Sequence, residues 1–126
     1  MPDEIRVNEN DSIIEVMSSG VLTRKDMENT KAKFLQINAE KAINKVFIDA
    51  TRLEHCPDTL DIFEFFATQL LGFKIAILFT ASSAITDDIF FAETVGSNRG
   101  VIVKAFSDEN EARLWLGTGV KSTAYS

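Results

Sequence analysis

Residues 73–79 read FKIAILF, a short segment in which apolar side chains follow one another with a single lysine among them. A strand with one face in water alternates apolar and polar residues, whereas a strand covered on both faces is apolar throughout. Residues 45–50, KVFIDA, and residues 100–106, GVIVKAF, have the same pattern. The three segments therefore predict the central strands of a parallel sheet.

Helical segments are predicted between and after these strands, as a parallel sheet requires. They cover residues 59–71 and 86–95, and a last helix runs from Ser107 through DENEARLWL. Ser107 is the predicted N-cap of that last helix, because hydroxyl side chains accept hydrogen bonds from free backbone N–H groups.

The chain begins with a predicted β-hairpin. Ile5 and Val7 alternate with polar residues, and SIIEVMSSGVL follows after a turn at residues 8–11. Thr23 then opens a helical segment and has Asp26 three positions later, which approximates a capping box.

That first helix has a sparse apolar face, which predicts a surface helix packed on one side. The residues of this face are Met27, Phe34, Ile37 and Ala42. The complete element order is ββαβαβαβα, an α/β domain with a mixed five-stranded sheet and four helices. We expect one domain over residues 1–116 and a flexible tail over residues 117–126.

Composition narrows the class of function. The chain has 126 residues and a net charge of −6, which argues against binding a nucleic acid, because a polyanion requires a clustered basic surface. One cysteine cannot form an internal disulfide. The first ten residues lack the pattern of a signal peptide, and no apolar run approaches the roughly 20 residues of a membrane span. We therefore expect a cytoplasmic protein.

The element order and the ending VKAFSDENEARLWL resemble the STAS domain, the fold of bacterial anti-sigma-factor antagonists, and its small Sec14-like relatives. The resemblance implies a non-enzymatic regulatory or protein-interaction module whose partner is unknown. Some Sec14-like relatives carry lipids, so a binder of an apolar ligand is the alternative.

Antagonist-type STAS domains have an acidic or amide residue at the end of the third strand, and a D-S-S-G phrase eight residues later. Asp49 matches the first position, and the phrase then falls on residues 57–60, which read PDTL. The resemblance places Thr59 at the phosphorylated position. The neighbouring Asp58 replaces a serine, and Pro57 and Leu60 also differ from the phrase.

The single histidine and the single cysteine, His55 and Cys56, are adjacent. A cysteine nucleophile needs a base within hydrogen-bond reach, but neighbours in an extended chain point to opposite sides, and Pro57 favours that extended conformation. We interpret Cys56 as an apolar filler and His55 as a loop residue, and a thiol-dependent function remains the rival. Asp58 or Thr59 then caps the next helix. We expect no enzyme activity, no cofactor and no metal.

Phe65 and Phe90 are the least expected apolar residues of the chain. On a helical wheel of about 100° per residue, each falls outside an apolar face that is already about 160–180° wide. Either the two rings pack between neighbouring helices, or they form an apolar patch for a protein partner, a second copy or a lipid. We expect such a patch, and with it a homodimer or another complex.

Overall fold

The computed structural model describes residues 3–55, 72–80 and 102–117. The strands in these ranges are β1 (Asp3–Asn8), β2 (Ile13–Val21), β3 (Lys45–His55), β4 (Lys74–Leu78) and β5 (Ile102–Phe106). The helices are α1 (Arg24–Lys41) and α2 (Glu109–Leu116). The helices predicted over residues 59–71 and 86–95, and the predicted tail from residue 118 onward, lie outside the described residues.

The five strands form one mixed sheet in the order β1-β2-β3-β4-β5. β1 and β2 pair antiparallel as a hairpin, and the pairs β2–β3, β3–β4 and β4–β5 are parallel. The predicted mixed sheet with a hairpin at its start is therefore confirmed. The three apolar segments correspond to the parallel strands β3, β4 and β5. Their pattern is apolar throughout because each strand has one face toward each helix layer.

Helix α1 begins as predicted. The backbone N–H of Asp26 donates to Thr23 Oγ1 at 3.1 Å, and the N–H of Thr23 donates to Asp26 Oδ2 at 3.0 Å, which completes the capping box. Ala42 was expected on the apolar face, but it is the exposed C-cap, with a left-handed φ of 58°. The helix has already ended at this residue, so the helical periodicity no longer applies to its side chain.

Helix α2 begins one residue later than predicted. Its N-cap is Asp108 and not Ser107, because the Asp108 carboxylate accepts a hydrogen bond from the N–H of Glu111 at 3.3 Å. Gly117 ends the helix with a left-handed φ of 83°, a conformation that favours glycine. Neither α1 nor α2, the two helices within the described ranges, is long and apolar enough to cross a membrane.

The two helices cover opposite faces of the sheet and so create two cores. The α1-side core is the larger one and includes Ile14, Val16, Phe34, Val46, Ile75 and Val103. The α2-side core is formed by Ile13, Phe47, Ala76, Leu78, Phe106, Ala112 and Leu116. Adjacent residues of one strand, such as Ile13 and Ile14, belong to different cores, which explains why these strands show little polar alternation.

Candidate functional site at the end of β3

Strand β3 extends beyond its neighbour β4. The β3–β4 pairing ends where Asp49 meets Leu78, whereas the β2–β3 pairing continues until Val21 meets His55. We call residues 50–55 the β3 extension. The sequence predicted a strand over residues 45–50 and placed His55 in a loop, so this boundary was wrong. The extension was missed because TRLEH is polar, and its pairing with β2 supplies stability that its composition does not indicate.

Two irregularities shape the pairing between β2 and the β3 extension. Met17 opposes Asp49 and Ser19 opposes Arg52, so β3 carries one extra residue there. A second extra residue follows before His55. Such β-bulges bend a strand and change which side chains face the core.

Asp49 supports the first bulge. Its Oδ1 accepts hydrogen bonds from the backbone N–H of Thr51 at 3.0 Å and from Thr51 Oγ1 at 2.6 Å. Both bonds bridge the segment where β3 gains its extra residue. Asp49 therefore does not mark the end of the strand, as the STAS comparison implied, but holds a bend in the middle of it.

The β3 extension has an inner and an outer side. Ala50 and Leu53 are buried in the α1-side core, at 2% and 8% exposure. Arg52 and Glu54 are exposed. The extension is thus anchored by apolar side chains and presents charged side chains to solvent.

Two exposed apolar side chains of β2 lie beside this surface. Met17, which opposes Asp49, is 38% exposed, and Val21, which opposes His55, is 55% exposed. This surface therefore combines exposed charged side chains with exposed apolar ones on a backbone that is fixed by strand pairing. The described residues contain no group of three or more His, Cys, Asp and Glu side chains that could hold a metal ion.

The remaining predicted site residues are only partly placed. His55 is the last residue of β3. Cys56, Asp58, Thr59, Phe65 and Phe90 lie outside the described residues, so the roles predicted for them stay predictions. Since β3 ends at His55, residues 56–59 follow directly after the β3 extension in the sequence.

A second polar cluster, centred on Glu15, was not predicted. The Glu15 side chain is 11% exposed, and it accepts hydrogen bonds from Arg6 Nη2 at 2.9 Å, Asn8 Nδ2 at 3.3 Å and Arg113 Nη1 at 3.1 Å. Burial by itself would raise the pKa of Glu15, but the three donors together lower it below its ordinary value. The one feature of the sequence that could have indicated this cluster is the lone carboxylate, Glu15, within the apolar segment SIIEVM.

Arg113 connects this cluster to helix α2. Its guanidinium also donates through Nε to Glu109 at 2.9 Å and lies 4.5 Å from the centre of the Phe47 ring. The hydrogen bonds to the carboxylates of Glu109 and Glu15 raise the pKa of Arg113, although its partial burial by itself would lower it. The Glu15 carboxylate accepts all three of these bonds from residues of its own chain, so we interpret the cluster as a structural link between β1, β2 and α2.

The described sheet and helices define the class of this protein as a SpoIIAA-like, STAS-type α/β fold. It is similar to an uncharacterized DUF3478-family protein with a SpoIIAA-like fold from Shewanella loihica PV-4, with a TM-score of 0.58 and 20% identity over 90% of this chain and 91% of that one.

It is also similar to the anti-sigma factor antagonist SpoIIAA in its unphosphorylated form, with a TM-score of 0.55 and 14% identity over 91% of this chain and 97% of that one. The Bacillus cell fate determinant SpoIIAA in its phosphorylated form gives a TM-score of 0.54 and 13% identity over 90% and 98%. No family model matches the sequence, and no curated protein matches it. The likeness therefore establishes the fold, and the predicted STAS resemblance is confirmed at that level.

Proposed function

We propose that this protein is a cytoplasmic, non-enzymatic regulatory module that binds another protein through the β3 extension and the residues that follow it. The observation that carries the proposal is the β3 extension itself, which continues six residues beyond the pairing with β4 in a SpoIIAA-like fold. It brings the chain directly to residues 56–59.

The surface of the extension supports this assignment. Its backbone is held by Leu53 in the core and by the Asp49–Thr51 hydrogen bonds, so little conformational entropy is lost when a partner binds. Arg52 and Glu54 offer charges of both signs for orientation. Met17 and Val21 add apolar area at the side.

We place the control of binding at Thr59, four residues after the end of β3. The similar SpoIIAA has been solved in phosphorylated and unphosphorylated forms. Phosphorylation of a threonine adds about −1.5 to −2 charges. Together with the charge of Asp58, its neighbour in the sequence, this charge would repel an acidic partner surface and release the partner.

A photo-crosslinking amino acid at position 52 tests the binding surface, and the same amino acid at the exposed Lys25 of α1 is the matched control. We expect a protein crosslink from position 52 and none from position 25. In the same assay, Thr59→Glu should weaken the crosslink and Thr59→Ala should not. Equal crosslinking from both positions refutes the surface, and equal crosslinking by the two Thr59 variants refutes the control.

We further propose that Phe65 and Phe90 add apolar area to the partner-binding surface, because each falls outside the apolar face of its predicted helix. Burying each ring against a partner contributes roughly 1.5–3 kcal/mol before association costs. The double variant Phe65→Ser, Phe90→Ser should therefore keep a near-native melting temperature and lose partner binding. Unfolding of this variant would place both rings in the core.

The lipid-carrier alternative has no supporting site within the described ranges. A groove of about 260 Å³ next to α1 is lined by one apolar residue, Ile5, and by five polar residues, including Asp3, Asp26 and Lys33. Native mass spectrometry of the purified protein decides between the two functions, since a carrier retains a lipid and the proposed interaction module does not.

A further inference from the structure

Strand β1 ends the sheet on one side, and no strand within the described residues pairs with its outer edge. An outer edge carries main-chain N–H and C=O groups that can pair with another strand, and edge strands often carry charges that prevent this. The charges of β1 are of both signs. Glu4 opposes Met17 and Arg6 opposes Glu15, so both side chains lie on the α2 face, and both are exposed.

Two copies of β1 can pair antiparallel about a two-fold axis perpendicular to the sheet. Each side chain then keeps its face, so the residue at the centre opposes itself. If the axis passes through Glu4, the Glu4 side chains of the two copies lie opposite each other. If it passes through Arg6, the two Arg6 side chains do. Centring on Ile5 opposes Glu4 and Arg6 twice, once on each side of the axis. The charge pattern therefore favours one register.

The α1 face of the same edge also suits this register. Ile5 is half-buried and lines a groove of about 260 Å³ between β1 and α1. Residues directly opposite in an antiparallel pair have Cβ atoms about 4.5–5.5 Å apart. Ile5 of one copy would thus pack on Ile5 of the other at this groove and remove apolar area from water.

Burial of the edge leaves no carboxylate without a partner. Asp3 would oppose Val7 of the second copy. Asp3 already accepts hydrogen bonds from Ser18 Oγ at 2.5 Å and Thr30 Oγ1 at 2.6 Å. Each of its two carboxylate oxygens therefore keeps a hydrogen-bond donor from its own chain when β1 pairs.

We infer that the partner at this edge is a second copy of this chain, bound antiparallel along β1 with Ile5 at the centre. In the resulting dimer, the five strands described for each chain join into one continuous sheet. This inference does not depend on the proposed function, because β1 is separate from the β3 extension. The edge is short and its ion pairs are exposed, so the charges set the register and the dimer is weak.

Sedimentation velocity over a roughly hundredfold range of protein concentration tests the dimer. The mass should rise from 14.0 kDa toward twice that value. Glu4→Arg and Arg6→Glu should each remain monomeric, because like charges then oppose at both positions. An equal mixture of these two variants should associate again, since two arginines of one strand then oppose two glutamates of the other. Glu40→Arg, an equal change of charge on α1, should associate like the parent.

Covalent trapping tests the register independently, which matters because Arg6→Glu also removes a bond to Glu15. In a Cys56→Ser background, Ile5→Cys should form a disulfide-linked dimer under mild oxidation. Val7→Cys should not, since the two residues 7 would lie about 13 Å apart. A parent that stays monomeric at every concentration, a mixture that stays monomeric with both variants folded, or equal trapping at positions 5 and 7 overturns the inference.

Discussion

Arg113 Nη1 lies 3.1 Å from Glu15 Oε2, so a side chain of α2 binds a side chain of β2 across 98 positions of sequence. The Glu15 side chain is 11% exposed and that of Arg113 is 25% exposed. A carboxylate this deeply buried is stable only while its hydrogen-bond donors are present. The Arg113–Glu15 ion pair therefore holds α2 against β2 and keeps the buried Glu15 carboxylate hydrogen-bonded.

Replacing Arg113 by methionine should destabilise the protein by about 2–3 kcal/mol, because Glu15 then loses a charged donor while it stays buried. Chemical denaturation at neutral pH measures this loss. Arg24→Met is the matched control. It also breaks an i,i+4 ion pair, with Glu28, but both side chains are about 60% exposed, so its loss should be below about 0.5 kcal/mol. Equal losses of unfolding free energy in the two variants would show that the Arg113–Glu15 pair stabilises the protein no more than an exposed ion pair does.

Glu15 should also make stability depend on pH. Its donors lower its pKa in the folded protein below the unfolded value of 4.5. A lowered folded pKa means that the contribution is fully present above pH 4.5 and is lost as the pH falls through the folded pKa. The stability difference between the parent and Glu15→Gln should therefore be large at pH 7 and shrink below pH 4.5. A difference that is constant from pH 7 to pH 3 contradicts this prediction.

Asp49→Ala should loosen the β3 extension. The change removes both hydrogen bonds that Thr51 donates, and we expect a cost of about 1–2 kcal/mol. Hydrogen exchange of the amides of residues 51–53 should become faster, whereas Asp49→Asn, which retains an acceptor, should change it less. Unchanged exchange in Asp49→Ala would mean that the pairing with β2 holds the bulge without Asp49.

The rival thiol-dependent function is tested by comparing the pKa of the Cys56 thiol with that of a free thiol, which is about 8.5. The adjacent His55 is not expected to reach it, because successive side chains of an extended chain point apart. The pH dependence of the alkylation rate measures this pKa. A value well below about 7 would indicate a stabilised thiolate and support the rival thiol-dependent function.

Local patterns were sufficient wherever one short segment carried the whole signal. The apolar segments at residues 45–50, 73–79 and 100–106 predicted parallel strands, since both of their faces must be buried. The Thr23–Asp26 capping box predicted the start of α1, because its two hydrogen bonds join residues three positions apart. The starts and ends of elements were less accurate. Asp108 replaced Ser107 as the N-cap of α2, and β3 continued past residue 50 to His55.

The sequence by itself thus determined the class of the fold, the mixed sheet and the hairpin, because hydrophobic periodicity and helix capping act over a few residues. Tertiary structure alone decided the length of β3 and the partners of Glu15. The polar segment 50–55 is a strand because β2 pairs with it and the core accepts Leu53. Glu15 is buried as a charge because Arg113 reaches it from α2. Such contacts join residues far apart in the chain, so no local pattern can specify them.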